Sequence, residues 1–384
     1  MATLLHIKNG VKERGKGRAM NLRFHWMLPK GGEVSVGAAQ TAAAAARYRI
    51  QSTSPASASA RPDMRGWLHF AQHAEEAGIE SLLVSFSRYE PDPFLVSCAL
   101  GRATKKLKFI AAYRSGLMQP TTFVQQTNTL SALIQGRIAL NIVAGSSSAE
   151  QHAYGDYLSH DDRYVRAEEF LAICNSFWRA EGDVNFEGRH YRIEQGRLNT
   201  PFVAPDRTSP EVYVSGHSEG AERLALKQGT CLLRVADNPE ELKLQVTRMR
   251  EHGVEVCLRV CVLCRATREE AIRVAGSLLP EHDIPRMERI TALKDDSQMY
   301  RDALAVGDQR ETWRTHSLWS GFVPFYGPVW MTLVGTPVEI AEALLEYKKI
   351  GVTQFIMSGW PELDEVVNFG REVMPIVREA ERRL

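Results

Sequence analysis

Short apolar, β-branched runs recur along this chain, separated by helical patterns, and that alternation limits the folds open to it. Eight runs stand out: residues 23–28, 81–85, 107–113, 138–143, 211–214, 231–235, 256–263 and 354–357. The intervening patterns carry helix punctuation. Between Met64 and Ala77, the side chains Trp67, Phe70, Ala71 and Ala74 fall at i, i+3, i+4 and i+7, and Gly78 ends the run. Residues 120–135 open with Pro120 in the first turn and stop at Gly136, while 341–349 follow the cap Thr336 and Pro337 and stop at Gly351. Repeated strand–helix units build a parallel sheet, and eight of them fit a closed barrel better than an open sheet. The expected fold class is α/β, a (β/α)8 TIM barrel formed as a single domain by residues 21–384.

Three stretches interrupt the alternation. Residues 183–210 read as a small hairpin (184–186 and 190–193) plus a loop. Residues 35–61 are rich in Ala and Ser, and 282–330 are long, mixed and aromatic towards their end. Loops that follow barrel strands gather at the C-terminal face, where barrel chemistry occurs, so 35–61 and 282–330 are candidate lid insertions. Residues 1–20 carry Lys8, Lys12, Arg14, Lys16 and Arg18 with no apolar segment behind them. They read as a flexible basic tail outside the barrel, not as a secretory signal, and a cytoplasmic location is expected. A net charge of +1 gives no electrostatic reason for a nucleic-acid partner. No apolar run reaches the ~18 residues of a membrane span.

Two motifs point to chemistries that their context does not favour. Cys257, Cys261 and Cys264 have the CxxxCxxC spacing of an iron–sulfur site. On a strand, however, Cys257, Arg259 and Cys261 share one face and Cys264 takes the other, so no metal is expected. With Cys98, Cys174 and Cys231 they read as reduced thiols. Gly216-His-Ser-Glu-Gly220 matches a nucleophile elbow between a strand and a helix, with Asp237 and His252 following in triad order. The same context suits a phosphate cradle, because backbone N–H groups at a helix N-terminus favour an anion. Both readings of Ser218 stay open at this level. No Walker A, HExxH or GxGxxG sequence is present.

Several stretches, in order and spacing, resemble one family: Trp26-Met-Leu-Pro29, Arg61-Pro-Asp63, 107–120, 129–142, Val143-Ala-Gly-Ser146, His160-Asp-Asp-Arg-Tyr164, Leu318-Trp319, Thr332-Leu-Val-Gly335 and Ser358-Gly-Trp-Pro361. The chain resembles the alkanesulfonate monooxygenase branch of the luciferase-like, flavin-dependent monooxygenases from about Asn21 to about Val377. The resemblance implies a TIM barrel with extra loops at its C-terminal face. It implies FMN, taken as FMNH2 from a separate NAD(P)H-dependent flavin reductase, with O2 as co-substrate activated as a peroxyflavin. It also implies a homodimer or homotetramer. By position, Ser215, Gly216, His217 and Ser218 match the family's phosphate-binding turn, and His160 and Tyr164 match a loop that reaches the phosphate or ribityl chain. Asn141 and Ala144 fall near the flavin. Ala111 and Ala112 fall where relatives often carry a non-prolyl cis peptide beneath the ring.

The departures bear on the substrate. Arg259 is kept as the candidate catalytic cation, but the family histidine two residues on is Cys261. A mobile-loop arginine falls at Tyr326, a pocket cysteine at Tyr89, a tyrosine at Trp360 and a histidine at Gly31. Losing an arginine fork while gaining Tyr89, Tyr326 and Trp360 shifts the pocket towards a larger, less anionic molecule than a simple alkanesulfonate. His25, His217 and His316 remain as candidate bases. The alternatives to a monooxygenase are a non-catalytic flavin-binding relative and a serine hydrolase using Ser218.

Overall fold

Eight parallel strands close on themselves in a computed structural model of the chain, which describes residues 21–29, 63–88, 90–145, 147–279, 297–307 and 312–383. The strands are β1 (Arg23–Met27), β2 (Ser81–Val84), β3 (Lys108–Tyr113), β4 (Ile138–Val143), β7 (Val212–Ser215), β8 (Cys231–Val235), β9 (Glu255–Cys264) and β12 (Gln354–Gly359). Each of the eight runs read from the sequence overlaps one of them. Neighbours pair in the order β12, β1, β2, β3, β4, β7, β8, β9, and β9 returns to β12. The expected hairpin forms as β5 (Val184–Glu187) and β6 (Arg192–Gly196), outside the barrel. The tail 1–20 and the candidate lid 35–61 lie outside the described residues.

β10 (Leu318–Trp319) and β11 (Thr332–Gly335) were not legible as strands. They form an antiparallel pair that hangs on β9, with Thr332 opposite Cys261 and Gly335 opposite Cys264. β9 thus serves two partners along one edge: β8 up to Val235–Arg259, then β11 from Cys261 onward. Of the candidate lid 282–330, the described parts include the helix Gln298–Gly307 and the segment leading through β10 to Trp330.

Strand alternation separates two apolar environments. Outward residues such as Phe109, Leu140, Val214 and Leu258 pack with the helices in one large core, while Ile110, Ala139, Leu233, Cys257 and Ile356 fill the lumen. The helix Met64–Glu76 turns Trp67, Phe70, Ala71 and Ala74 inward, and Asp63 caps it by accepting from Gly66 N–H. Burying each large apolar side chain there stabilises the fold by roughly 1.5–3 kcal/mol. Thr336 and Glu339 form a reciprocal capping box on the helix Pro337–Ile350. The three sulfurs of the CxxxCxxC motif diverge: Cys257 faces the lumen, Cys261 an aromatic cluster and Cys264 the outer core.

The floor of the lumen is polar and tied together. Arg23 donates to Glu211 at 2.9 Å and pairs with Glu255. Tyr213 Oη donates to Gln354 Oε1 at 2.6 Å, and His25 Nε2 lies 3.0 Å from the same oxygen. Burial, together with Arg23, lowers the His25 imidazole to about 3, so it is neutral there.

Gly136 ends the helix before β4 at φ +75°, and a Cβ there would lie 2.6 Å from Ala204 Cα and 2.7 Å from Val203 O. The obstacle is backbone, so it does not yield easily. Gly136→Ala should lower unfolding free energy by about 2 kcal/mol or more, measured by urea denaturation; an unchanged midpoint would show that the loop at 203–204 moves freely.

Candidate active site

The C-terminal ends of the barrel strands place the candidate residues around one mouth. The turn after β7 leads through Gly216 to Ser218, whose Oγ caps the helix Glu219–Gln228 by accepting from Ala221 N–H at 3.3 Å. Tyr164, on the helix His160–Arg179, leans over this turn. It is buried, and its hydroxyl hydrogen-bonds Ser218. A Cβ on Gly216 would come within 2.8 Å of the Tyr164 hydroxyl, and one on Gly220 within 2.9 Å of its ring. Glycine is needed at both positions to let the phenol approach. Burial pushes the Tyr164 phenol up, so it stays a neutral O–H donor. His160 stands edge-on to Tyr164, ring centroids 5.1 Å apart. The chemistry of this arrangement suits a small anionic group, because a helix N-terminus, a hydroxyl cap and a phenol converge at one turn.

The loop after β4 is held by one buried arginine that the sequence reading had not singled out. Arg163 donates from Nε to Ala144 O at 2.9 Å and from Nη1 to Leu158 O at 2.8 Å. Ser215 Oγ donates to Asn141 Oδ1 at 2.6 Å, joining β7 to β4. Ala111 and Ala112 pair in unbroken register with Leu140 and Asn141. Two expectations are corrected here. Ala111 belongs to the outer core, so alternation leaves only Ala112 facing the lumen. The cis peptide expected at these alanines is also not found; among the described residues the cis bond is Trp360–Pro361.

His217 does not aim its ring at the turn. Val235 N–H donates to its Nε2 at 3.0 Å, so the ring proton sits on Nδ1, which faces Asp302 Oδ2 at 3.2 Å. Burial lowers the imidazole, with Asp302 opposing the shift. Only the His217 backbone remains for the turn. The ring instead lines a cavity of about 390 Å³ that opens where β8 and β11 part along β9. Val323, Pro328 and Met331 form its apolar wall, and Met299 and Asp302 reach it from the helix Gln298–Gly307. Arg234, Asp237, Glu241 and Arg314 supply its charged side, where Arg314 pairs with Asp237 at 3.0 Å and Glu241 at 2.8 Å.

Arg259 sits across the mouth, 7% exposed. Its Nη1 donates to Ile356 O at 3.2 Å and Val260 O at 3.3 Å, and its Nη2 donates to Ser358 Oγ at 2.8 Å. Cys261 Sγ lies 3.3 Å from the same Ser358 oxygen. Burial raises the Cys261 thiol, so it is a filler and not a thiolate nucleophile. The expected pocket residues Cys261, Tyr326 and Trp360 do come together, but in a packed cluster with Phe322 and Trp330. Trp330 and Trp360 stack at 3.8 Å, and Tyr326 Oη donates to Leu278 O. None of the three lines the cavity; aromatic packing along β9 turns them inward to one another. Tyr89, Gly31 and Ser146 lie outside the described residues.

The hydrolase arrangement is not assembled. Asp237 is engaged by Arg314, and His252 is exposed at the far end of the 13-residue helix Pro239–Glu251. His316 is also exposed, against Glu339.

The His217 geometry is checkable. Its folded pKa lies below the ordinary 6.5, so its bond from Val235 is fully present above that pH and fades as pH falls through the folded value. Nitrogen NMR should find an Nδ1–H tautomer still neutral at pH 6.5; a half-protonated ring there would contradict the pinned geometry.

Comparison with known proteins agrees with this architecture. EDTA monooxygenase (EmoA) from Chelativorans sp. BNC1 superposes with a TM-score of 0.73 at 19% identity, over 94% of each chain. A long-chain alkane monooxygenase (LadA) gives 0.65 at 18%, covering 94% of this chain and 92% of its own. The oxygenating constituent of 3,6-diketocamphane monooxygenase from Pseudomonas putida, in complex with FMN, gives 0.60 at 20%, covering 93% and 98%. The family described as luciferase-like monooxygenase matches residues 23–354. With the closed barrel and the site at its C-terminal mouth, that match makes this chain a member of the luciferase-like monooxygenase family.

Proposed function

We propose that the protein is a two-component monooxygenase. It takes reduced FMN from a separate NAD(P)H-dependent flavin reductase and uses O2 to oxygenate a bulky, partly apolar small molecule. What supports this reading is that one end of the barrel carries both the helix N-terminus at Gly216–Ser218 and the hydrogen-bonded guanidinium of Arg259. Reduced FMN supplies the electrons that activate oxygen. The chain does the rest. Ser218, the first N–H groups of its helix and the Tyr164 hydroxyl would hold the phosphate, and Ala112 and Asn141, paired across β3 and β4, would lie beside the ring. Arg259, held by a carbonyl and a hydroxyl, presents positive charge where negative charge develops. The stacked aromatics behind it keep water out.

The cavity favours a substrate that is not strongly anionic. Three carboxyl groups (Asp237, Glu241, Asp302) line it against two guanidinium groups (Arg234, Arg314), beside an apolar wall. That balance suits a bulky neutral or amphipathic molecule better than a simple alkanesulfonate. A homodimer or homotetramer working in the cytoplasm belongs to the same proposal.

Anaerobic titration tests it. FMNH2 should bind more tightly than FMN, and the bound flavin should reoxidise more slowly than free FMNH2 when air is admitted. Equal affinity with reoxidation at the free rate would overturn the reading. Arg259→Ala should keep the circular dichroism spectrum yet lose on the order of 100-fold or more in kcat; unchanged turnover would remove its role. Tyr164→Phe should weaken FMNH2 binding by about 5–10-fold, the worth of one hydrogen bond. Rapid labelling of Ser218 by a fluorophosphonate would favour the hydrolase instead.

A further inference from the structure

The methionine at the end of β1 lies against the cation of the site. Met27 follows His25 by two residues on β1, so its side chain joins the lumen face at the mouth. Its Sδ is 3.3 Å from Nη2 of Arg259, the same nitrogen that donates to Ser358 Oγ at 2.8 Å. Met27 is half-buried. Met249 and Met357 are fully buried, and Met64 is 40% exposed at the start of an outer helix.

We propose that Met27 is an oxidation site, converted to the sulfoxide by peroxide released inside the mouth, and that this oxidation switches the site off. The inference rests on the oxygenase reading above. Without an organic substrate, FMNH2 and O2 give FMN and hydrogen peroxide. The thioether sulfur then attacks one peroxide oxygen. An S–O bond forms, the O–O bond breaks, sulfur loses two electrons, and the other oxygen leaves as water after proton transfer. One thioether and one hydrogen peroxide thus give one sulfoxide and one water. A sulfoxide oxygen is polar and accepts hydrogen bonds far better than a thioether sulfur. It competes with Ser358 for Nη2 of Arg259 and pulls the guanidinium out of its fixed position.

The test uses the full chain with FMNH2 in air, no organic substrate, and catalase to clear peroxide from bulk solution. Peptide mass mapping then reads the added oxygen at each methionine. Oxidation at Met27 should exceed that at Met64 by roughly fivefold or more, despite the greater exposure of Met64. Activity should fall in step and return with methionine sulfoxide reductase. Met64 oxidised ahead of Met27, or Met27 unmodified while FMNH2 binds and reoxidises, overturns the proposal and leaves the oxygenase reading standing. Failure to bind FMNH2 at all overturns both. Met27→Leu gives a second readout: during substrate-free turnover its rate, relative to its own starting rate, should decay more slowly than that of the unaltered chain. Equal decay overturns the switch.

Discussion

The pairing of β9 is the constraint on which the rest of the structure depends. Its ten residues are about twice the length of most barrel strands. The first half closes the barrel against β8, and the second half carries β11 along the same edge. The hand-over falls between Arg259 and Cys261, where Arg259 O accepts from Ala236 N–H and Cys261 N–H donates to Met331 O. One consequence is the cavity, which opens because two strands that share an edge must diverge. Another is the position of Arg259, at the last rung of the closed barrel, where the lumen becomes the mouth.

Much of this was legible in the sequence, because it depends on local periodicity. Alternation alone put Arg259 and Cys261 on one face and Cys264 on the other. Glycines and caps located the helices around the barrel to within a residue or two, as at Thr336 and Gly351. What was not legible depends on contacts between distant segments. The two-residue β10 is too short to show a period, β11 runs on from the mixed aromatic stretch 282–330, and both exist because β9 offers them an edge. The direction of the His217 ring is set by Val235 and Asp302, which lie 18 and 85 residues away. The cavity has no sequence signal at all, since it is a space bounded by segments far apart in the chain. Arg163 was in view within His160-Asp-Asp-Arg-Tyr164, but nothing local distinguishes an arginine that clamps carbonyls from one on a surface helix.

The lumen separates two electrostatic tasks along its axis. At the floor, Arg23, Glu211, Glu255 and Gln354 satisfy one another, and His25 is held neutral. Such a network fixes strand register, because losing one member leaves its partners buried and unpaired. At the mouth, the groups that hold the cation are neutral: Arg259 is fixed by carbonyls, a hydroxyl and a thioether. Neutral ligands immobilise the guanidinium without cancelling its charge. That leaves its field available to whatever negative charge arises in the mouth.

The shared edge of β9 has a consequence for how such a molecule can diversify. The barrel closes through hydrogen bonds that end at Arg259, before the added pair β10–β11 begins. The pocket wall bearing Val323, Pro328 and Met331 belongs to this added unit. Its length and side chains can therefore drift over generations while the closure beneath stays intact. Cavity shape and barrel closure are thus carried by separate segments, so the one can vary without first costing the other.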